Sequence, residues 1–284
     1  MWMKTPTGRL TRARPRRSST RTPEPTPEQG VSSYELGQTV FASNAVGSRD
    51  GVYAAAEIFN TGNTVLNLNN STIDFVDASG NVIDCNPNSI FDMPNRARES
   101  TSYLLPGQKG FIFRHEPLLD YHNIDYRELV DAVFNVVYET DGVAVTVNEL
   151  DGNVYQAVDS LGGIVAEKAL LPIEDPILAP STLSLDVATC ACSGVIRNRT
   201  GTAFVTPFSS ADGYYACYDS SGKLLGAVVP VYVKDAYGES LKKLPANNKG
   251  LAKIESTVYQ FLFWPAEGKY ATVEAFVDFL TVGH

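Results

Sequence analysis

The sequence predicts an all-β protein made of two similar sandwich modules in tandem behind a disordered N-terminal tether. Three observations predict it. First, a set of landmarks occurs twice in one order. Glu57-Ile-Phe-Asn-Thr-Gly62, Ile73-Asp-Phe-Val-Asp-Ala-Ser-Gly80 and Leu105-Pro-Gly-Gln-Lys-Gly110 are followed by Val195-Ile-Arg-Asn-Arg-Thr-Gly201, Tyr215-Ala-Cys-Tyr-Asp-Ser-Ser-Gly222 and Leu244-Pro-Ala-Asn-Asn-Lys-Gly250. A repeat of this size means two copies of one structural unit. Second, 14 Tyr and 13 Phe lie among 22 Gly and 16 Pro, the mix of aromatic strands and frequent turns. Third, 284 residues at 44% hydrophobic content provide a core for each of two modules.

Residues 1–30 form the tether. They are rich in Arg, Thr, Pro and Ser and have little to bury, so ordering them is not repaid. Arg9 to Arg21 is a basic cluster, and Thr22-Pro-Glu-Pro-Thr-Pro-Glu28 is a Pro-spaced acidic stretch with an extended bias. Net charge is −9 although the tether is basic, so the body is strongly acidic. An acidic body repels nucleic acid and anionic lipid at long range. A nucleic-acid partner is not expected, because no aromatics interleave Arg12 to Arg17.

The first module is expected over 31–160. Tyr34 to Val46 opens it as a weakly alternating strand. Val52, Ala54, Ala56 and Ile58 share one face of the next, which Asn60-Thr-Gly-Asn63 ends. Ile73 and Phe75 share a face of the strand Ser71–Val76. Asp77 and Gly80 then make a hairpin turn: Asp bonds the following backbone and Gly supplies positive φ. Leu105-Pro-Gly107 is a second turn before Phe111-Ile-Phe113. Tyr126 to Asp131 is one helical turn or a loop. Ala132, Phe134, Val136 and Tyr138 share a face of the strand 132–138, and Val143 to Asn148 is a further strand or an extension of the domain edge.

Residues 161–182 carry Pro172, Pro176 and Pro180 and read as an extended linker, since proline removes a ladder donor. The second module is expected over 183–284. Asn198-Arg-Thr-Gly201 ends its opening strand. Tyr215 and Cys217 stand in the places of Ile73 and Phe75. Asp219 and Gly222 repeat the turn, and Val273, Ala275, Val277 and Phe279 share a face of the last strand.

Ile73-x-Phe-Val-Asp77 with Gly80, and Tyr215-x-Cys-Tyr-Asp219 with Gly222, resemble the signature of the FxLYD domain family. The upstream Asn-Thr-Gly and downstream Leu-Pro-Gly are also similar to its pattern. The resemblance covers roughly residues 50–140 and 190–280. It implies small immunoglobulin-like sandwiches of a bacterial cell-envelope protein, with no catalytic residues. Phe75 and Cys217 depart from the family's leucine and Ile73 from its aromatic. The Pro-spaced stretch also resembles the spacer of surface lipoproteins, although no cysteine precedes it. The expectation is an extracellular or cell-envelope location with an export signal lying outside this numbering. The alternative is a cytoplasmic protein.

Candidate sites are few. Cys190 and Cys192 share a strand face, and Cys217 belongs to the same module. Buried thiols, a disulfide and, least of all, a metal pair are the alternatives. His115-Glu116 and Asp120-Tyr-His122 form a small polar cluster without metal-ligand spacing, and no metal or cofactor is expected. No nucleophile elbow occurs, so the chain reads as a non-enzyme. Asn70-Ser-Thr72 and Asn198-Arg-Thr200 match glycosylation acceptors. Tyr259, Phe261, Phe263 and Trp264, with Tyr214, Tyr218, Tyr232 and Tyr237, are dense for a core. Alternate members of a strand face outward, so Trp264, Tyr259, Phe261, Tyr232 and Tyr237 are the ligand-binding candidates. Packing between modules is the other use for these rings.

The expected function is a binding or scaffold protein that presents edge strands and loops to a protein or glycan at the cell surface. It would meet a membrane only through a lipid anchor absent from this sequence. The alternatives are a carbohydrate-binding protein using the second module's aromatics, and an accessory subunit of an envelope enzyme.

Overall fold

The computed structural model describes residues 25–46, 49–68, 70–83, 98–99, 103–118, 124–183, 188–206, 211–228, 232–256 and 270–283. Among them there is no α-helix, and one 3-10 turn covers Tyr126–Glu128. No helix there is long and apolar enough to cross a membrane, which says nothing of a β-barrel.

The first half contributes β1 (Tyr34–Val46), β2 (Arg49–Asn60), β3 (Leu66–Leu68), β4 (Thr72–Val76) and β5 (Val82–Ile83). It continues with β6 (Arg98–Glu99), β7 (Tyr103–Leu104), β8 (Lys109–Leu118), β9 (Asp131–Asn135) and β10 (Tyr138–Glu139). Then come β11 (Val145–Leu150), β12 (Val154–Asp159) and β13 (Ile164–Pro172). The remainder holds β14 (Glu174–Leu183), β15 (Ala188–Asn198), β16 (Phe204–Val205), β17 (Asp212–Tyr218) and β18 (Leu224–Val228). It ends with β19 (Tyr232–Lys234), β20 (Lys243–Leu244), β21 (Asn248–Ser256) and β22 (Thr272–Gly283).

The strand order of the first half recurs in the second. The sheet β1-β2-β8-β6 is matched by β14-β15-β21-β19, the run β5-β4-β9 by β18-β17-β22, and the pair β3-β7 by β16-β20. Register agrees as well. Ile58 faces Gly110 across β2 and β8, as Ile196 faces Gly250 across β15 and β21. Ile73 faces Phe134 and Phe75 faces Ala132, as Tyr215 faces Ala275 and Cys217 faces Val273. The second turn aligns Leu104, rather than Leu105, with Leu244, because those two residues pair with Leu66 and Phe204.

The landmarks recur for physical reasons. Asn60 caps the end of β2: its Nδ2 donates 2.8 Å bonds to the carbonyls of Thr64 and Leu104, and its Oδ1 accepts from Gly62 N at 3.0 Å. Asn198 does the same for β15, donating to Thr202 O at 2.7 Å and Pro245 O at 3.1 Å. Such buried amides satisfy carbonyls that no ladder reaches. This commitment, with Asn198 buried, removes it as a glycan acceptor.

The sheets stack in four layers. Ile73 and Phe75 of β4 pack on Val52, Ala54, Ala56 and Ile112 of β2 and β8. The opposite face of β2 and β8, with Tyr53, Ala55, Phe111 and Phe113, packs with Tyr214 and Ala216 of β17 and Ala227 of β18. The far side of β17 and β22, with Tyr215, Cys217, Val277 and Phe279, packs on Cys192, Ile196, Ala252 and Ile254 of β15 and β21. Thus β2, expected to bury one face, buries both, and residues 51–58 are all buried. Strand 132–138 is split: β9 joins β4 and β10 joins β3, although its predicted face is kept.

Two stretches differ from expectation. Residues 161–182, read as a linker, hold β13 and β14. β13 pairs with β12 and β22 inside the six-stranded sheet β11-β12-β13-β22-β17-β18. β14 is an edge strand whose ladder shifts between Glu174 and Ile177 and again between Pro180 and Thr182. Prolines fit an edge or a bulge, where no ladder donor is needed. The strands β11 and β12, placed with the first module, therefore share a sheet with β22. The end of the tether is also tied down. Glu28 N donates to Ser160 Oγ at 2.9 Å, Ala144 N to Glu28 O at 2.9 Å, and Gly30 N to Gly142 O at 2.7 Å. The rest of the tether, residues 1–24, lies outside the described residues.

Candidate interaction faces and a buried ionic cluster

The junction between the second and third layers carries aromatic packing at its centre and ion pairs at both ends. The Phe111 ring lies 5.1 Å from Tyr214, and Tyr214 lies 5.4 Å from Phe276. Tyr53 donates its hydroxyl to Ala227 O and accepts from Ala227 N at 2.7 Å. Its phenol titrates well above the usual range, chiefly through burial. At one end, Lys109 Nζ sits 2.6 Å from Glu274 and 3.7 Å from Glu57, while Tyr218 donates to Glu57 Oε1 at 2.9 Å. Tyr214 and Tyr218, counted among the dense aromatics, are therefore buried packing residues between layers.

At the other end lie Lys168, Asp278 and Asp212. Lys168 Nζ is 3.1 Å from Asp278 Oδ2 and donates to Tyr103 O at 3.0 Å. Asp212 stands directly opposite Asp278 across β17 and β22. Burial first, and then the Asp278 charge, push the Asp212 carboxyl up to about 6, against the opposing pull of Lys168. The sequence reading missed this cluster. Its signal was a lone cation in Ala166-Glu-Lys-Ala-Leu-Leu171 and a lone anion in Val277-Asp-Phe-Leu280, each set in an apolar run.

The same kind of face that docks β2 and β8 onto β17 and β22 is uncovered on β15 and β21. Its rows follow from register. Arg197 stands opposite Lys249, Val195 opposite Leu251, and Ser193 opposite Lys253, which in turn faces Lys234. Ile177 of β14 faces Ser193 from the edge. Ile177 is 64% and Leu251 52% exposed. Glu174 alone among the described acids offsets the Arg197 end, at 2.6 Å from Arg197 and 3.6 Å from Arg199. These three residues, with Asn247, Asn248 and Lys249, line an open cleft. The face is cationic and partly apolar in a chain of net charge −9.

The outer face of β4 and β9 is uncovered as well, and it has the opposite sign. Asp74 faces Val133 across the two strands, and Asp131 ends the row. Val133 is exposed, as are Val82 of β5 on the far side of β4 and Val137 between β9 and β10. Asn135 Nδ2 bonds Asp74 Oδ2 at 2.8 Å.

The remaining candidates are placed as follows. Asp77 Oδ1 accepts from Ser79 N and Asn81 N, both at 2.8 Å, and Gly80 has φ of 80°. Asp219 Oδ1 accepts from Ser221 N at 2.8 Å and Lys223 N at 3.0 Å, and Gly222 has the same φ of 80°. Hydrogen bonds from Ser221 and Lys223 hold Asp219 below the usual carboxylate range, and those from Asn81 do so for Asp77. A depressed carboxyl adds stability above its unfolded pKa and loses it as pH falls through the folded value. Asp219→Ala is thus expected to lower Tm at neutral pH, with the deficit shrinking below about pH 4. Thermal melts across pH test this; a deficit that stays constant into acid would refute it.

Tyr237 is 90% exposed in the tight turn between Asp235 and Glu239. Tyr232 lies on β19, opposite Glu255. Trp264, Tyr259 and Phe261, together with Phe263, Cys85, Asp120 and His122, lie outside the described residues. Cys192 and Cys217 are buried thiols in one core. Among the described residues no three of His, Cys, Asp and Glu converge on a metal-sized site.

No family model matches the chain, and no curated protein matches it. Among solved structures, the secreted serine protease VesC from Vibrio cholerae is similar at 12% identity with a TM-score of 0.14, over 87% of this chain and 46% of the protease chain. This chain spans about half the length of that one. A likeness at that level carries no argument about fold or activity.

Proposed function

We propose that this chain is a non-enzymatic scaffold or binding protein of the cell surface or periplasm, built from two tandem immunoglobulin-like modules of the FxLYD kind. The recurring strand order, asparagine caps and Asp/Gly turns support the modular reading. The sheet β14-β15-β21-β19 works through its face rather than its edges. The β14 edge is blunted by Pro176 and Pro180 and by two register shifts, and β19 is only three residues long. Both devices discourage strand addition.

One observation carries the scaffold reading. Inside the chain, the β2/β8 face of the first half docks on the β17/β22 face of the second. The equivalent pair left over is the cationic β15/β21 face and the acidic β4/β9 face. Leu251 takes the place of Phe111, and Lys249 that of Lys109, as the shared register shows. These two faces are opposite in sign and both carry exposed aliphatic residues. The β15/β21 face of one copy therefore seats on the β4/β9 face of the next. Such a contact is head-to-tail, and its rotation between copies decides between a ring and an open row.

Sedimentation velocity against concentration and salt tests this. Wild type is expected to self-associate at low salt and to dissociate as salt rises. Lys249→Glu with Lys253→Glu should be monomeric, and so should Asp74→Lys with Asp131→Lys. A mixture of the two variants should form hetero-complexes. Wild type that stays monomeric at its highest soluble concentration, or a mixture that fails to associate, would sink the reading.

A further inference from the structure

We propose that Lys168 and Asp278 condense within the folded chain into an isopeptide bond that ties β13 to β22. The two strands are ladder partners, and the amine nitrogen already lies 3.1 Å from a carboxylate oxygen. The side chains are only 2% and 4% exposed, so bulk water is kept from the site. Asp278 Oδ1 is buried without a hydrogen-bond partner among the described residues. An ion pair placed there keeps a desolvation cost that its mutual attraction offsets only with full hydrogen bonding. Conversion to a neutral amide removes both charges.

The neighbours supply the rest of the reaction. Asp278 lies between two strands, with Lys168 on β13 at one side and Asp212 on β17 at the other. Tyr103 O accepts from Lys168 Nζ at 3.0 Å and orients the amine. Leu170, Tyr214 and Phe276 share this sheet face and keep it apolar, as register requires.

The step balances without any co-reactant. Lys168 gives one proton to the carboxylates and its lone pair attacks Asp278 Cγ. Asp212, whose raised affinity for protons keeps one at hand, protonates the departing Asp278 oxygen. The C–O bond breaks, the nitrogen loses its second proton to Asp212, and one water leaves. Ammonium and carboxylate become an amide and water, with no change in oxidation state. The bond would close a loop from residue 168 to residue 278 and fix the final strand in the sheet.

Intact-mass measurement of the full purified chain tests this. Folded wild type is expected to weigh one water less than its sequence. A protease digest should contain one branched peptide joining the Lys168 and Asp278 segments. Lys168→Arg and Asp278→Ala should run at full mass. Asp212→Ala should keep a wild-type circular dichroism spectrum and remain at full mass. Folded wild type at full mass after prolonged incubation at mildly acidic and neutral pH would reduce the pair to a salt bridge. Loss of water persisting in Lys168→Arg would assign it to a succinimide and overturn the bond. Cross-linking of Asp212→Ala at the wild-type rate would remove Asp212 from the chemistry.

Discussion

Replacing Phe111 with alanine is expected to lower the free energy of unfolding by about 3–5 kcal/mol, the range for a fully buried aromatic. Phe111 is inaccessible to solvent and sits between the layers, stacked near Tyr214 and beneath the Lys109 ammonium at 5.5 Å. The change removes its transfer free energy and leaves a cavity. Ala55 and Ala216 on the same faces are too small to fill that cavity. Urea titration measures the effect. Val205→Ala, at a half-exposed site, serves as a control and should stay within about 0.5 kcal/mol of wild type. A loss below about 1 kcal/mol for Phe111→Ala would mean that the β2/β8 face is not a packed junction.

The second large effect is expected at Asn198. Its amide donates to the carbonyls of Thr202, Leu244 and Pro245, and its oxygen accepts from Thr200 N at 2.9 Å and Thr200 Oγ1 at 2.7 Å. Asn198→Ala strands the buried Leu244 carbonyl and removes the partners of the half-buried Thr200 groups. The expected loss is about 1–3 kcal/mol, the cost of an unsatisfied buried group. Asn198→Asp keeps the two acceptor bonds but aims an oxygen at three carbonyls, so it should be no milder at neutral pH. Asn60→Ala should match Asn198→Ala within about 1 kcal/mol, because it meets the same two kinds of carbonyl. Denaturant midpoints of the three variants decide the matter. An Asn198→Ala midpoint equal to wild type would show that the cap is dispensable.

Much of the fold was legible because local chemistry repeats. The alternation of Ile73 and Phe75, the Asp77–Gly80 turn and the Val273–Phe279 face are short-range signals, and the strands carry the predicted parity. The layer order was not legible. In Val52-Tyr-Ala-Ala-Ala-Glu-Ile-Phe59 both parities are apolar or small, and alternation within one segment cannot say whether a second sheet covers the far side. The prolines at 172, 176 and 180 misled in a different way. Pro176 and Pro180 fall on the edge strand β14, and Pro172 ends the central strand β13 past its ladder with β12, placements that depend on partners distant in sequence. Lys168 was hidden by the same reading, since a linker lysine needs no explanation. The faces on β15/β21 and β4/β9 become visible only once register assigns Lys249 and Lys253, or Asp74 and Asp131, to one side.

The position of β22 has a consequence for how the protein is made. It lies between β13 and β17, so the six-stranded sheet is two separate pieces until residues 272–283 have left the ribosome. Translation proceeds from the N-terminus at roughly 5–20 residues per second, and domains otherwise tend to settle in that order. Here the nascent chain must hold Tyr53, Phe111 and Phe113 bare for seconds while their cover is still being synthesised. A premature stop anywhere in the last strand would therefore release a polypeptide with an oily flank, ready to clump before it could mature.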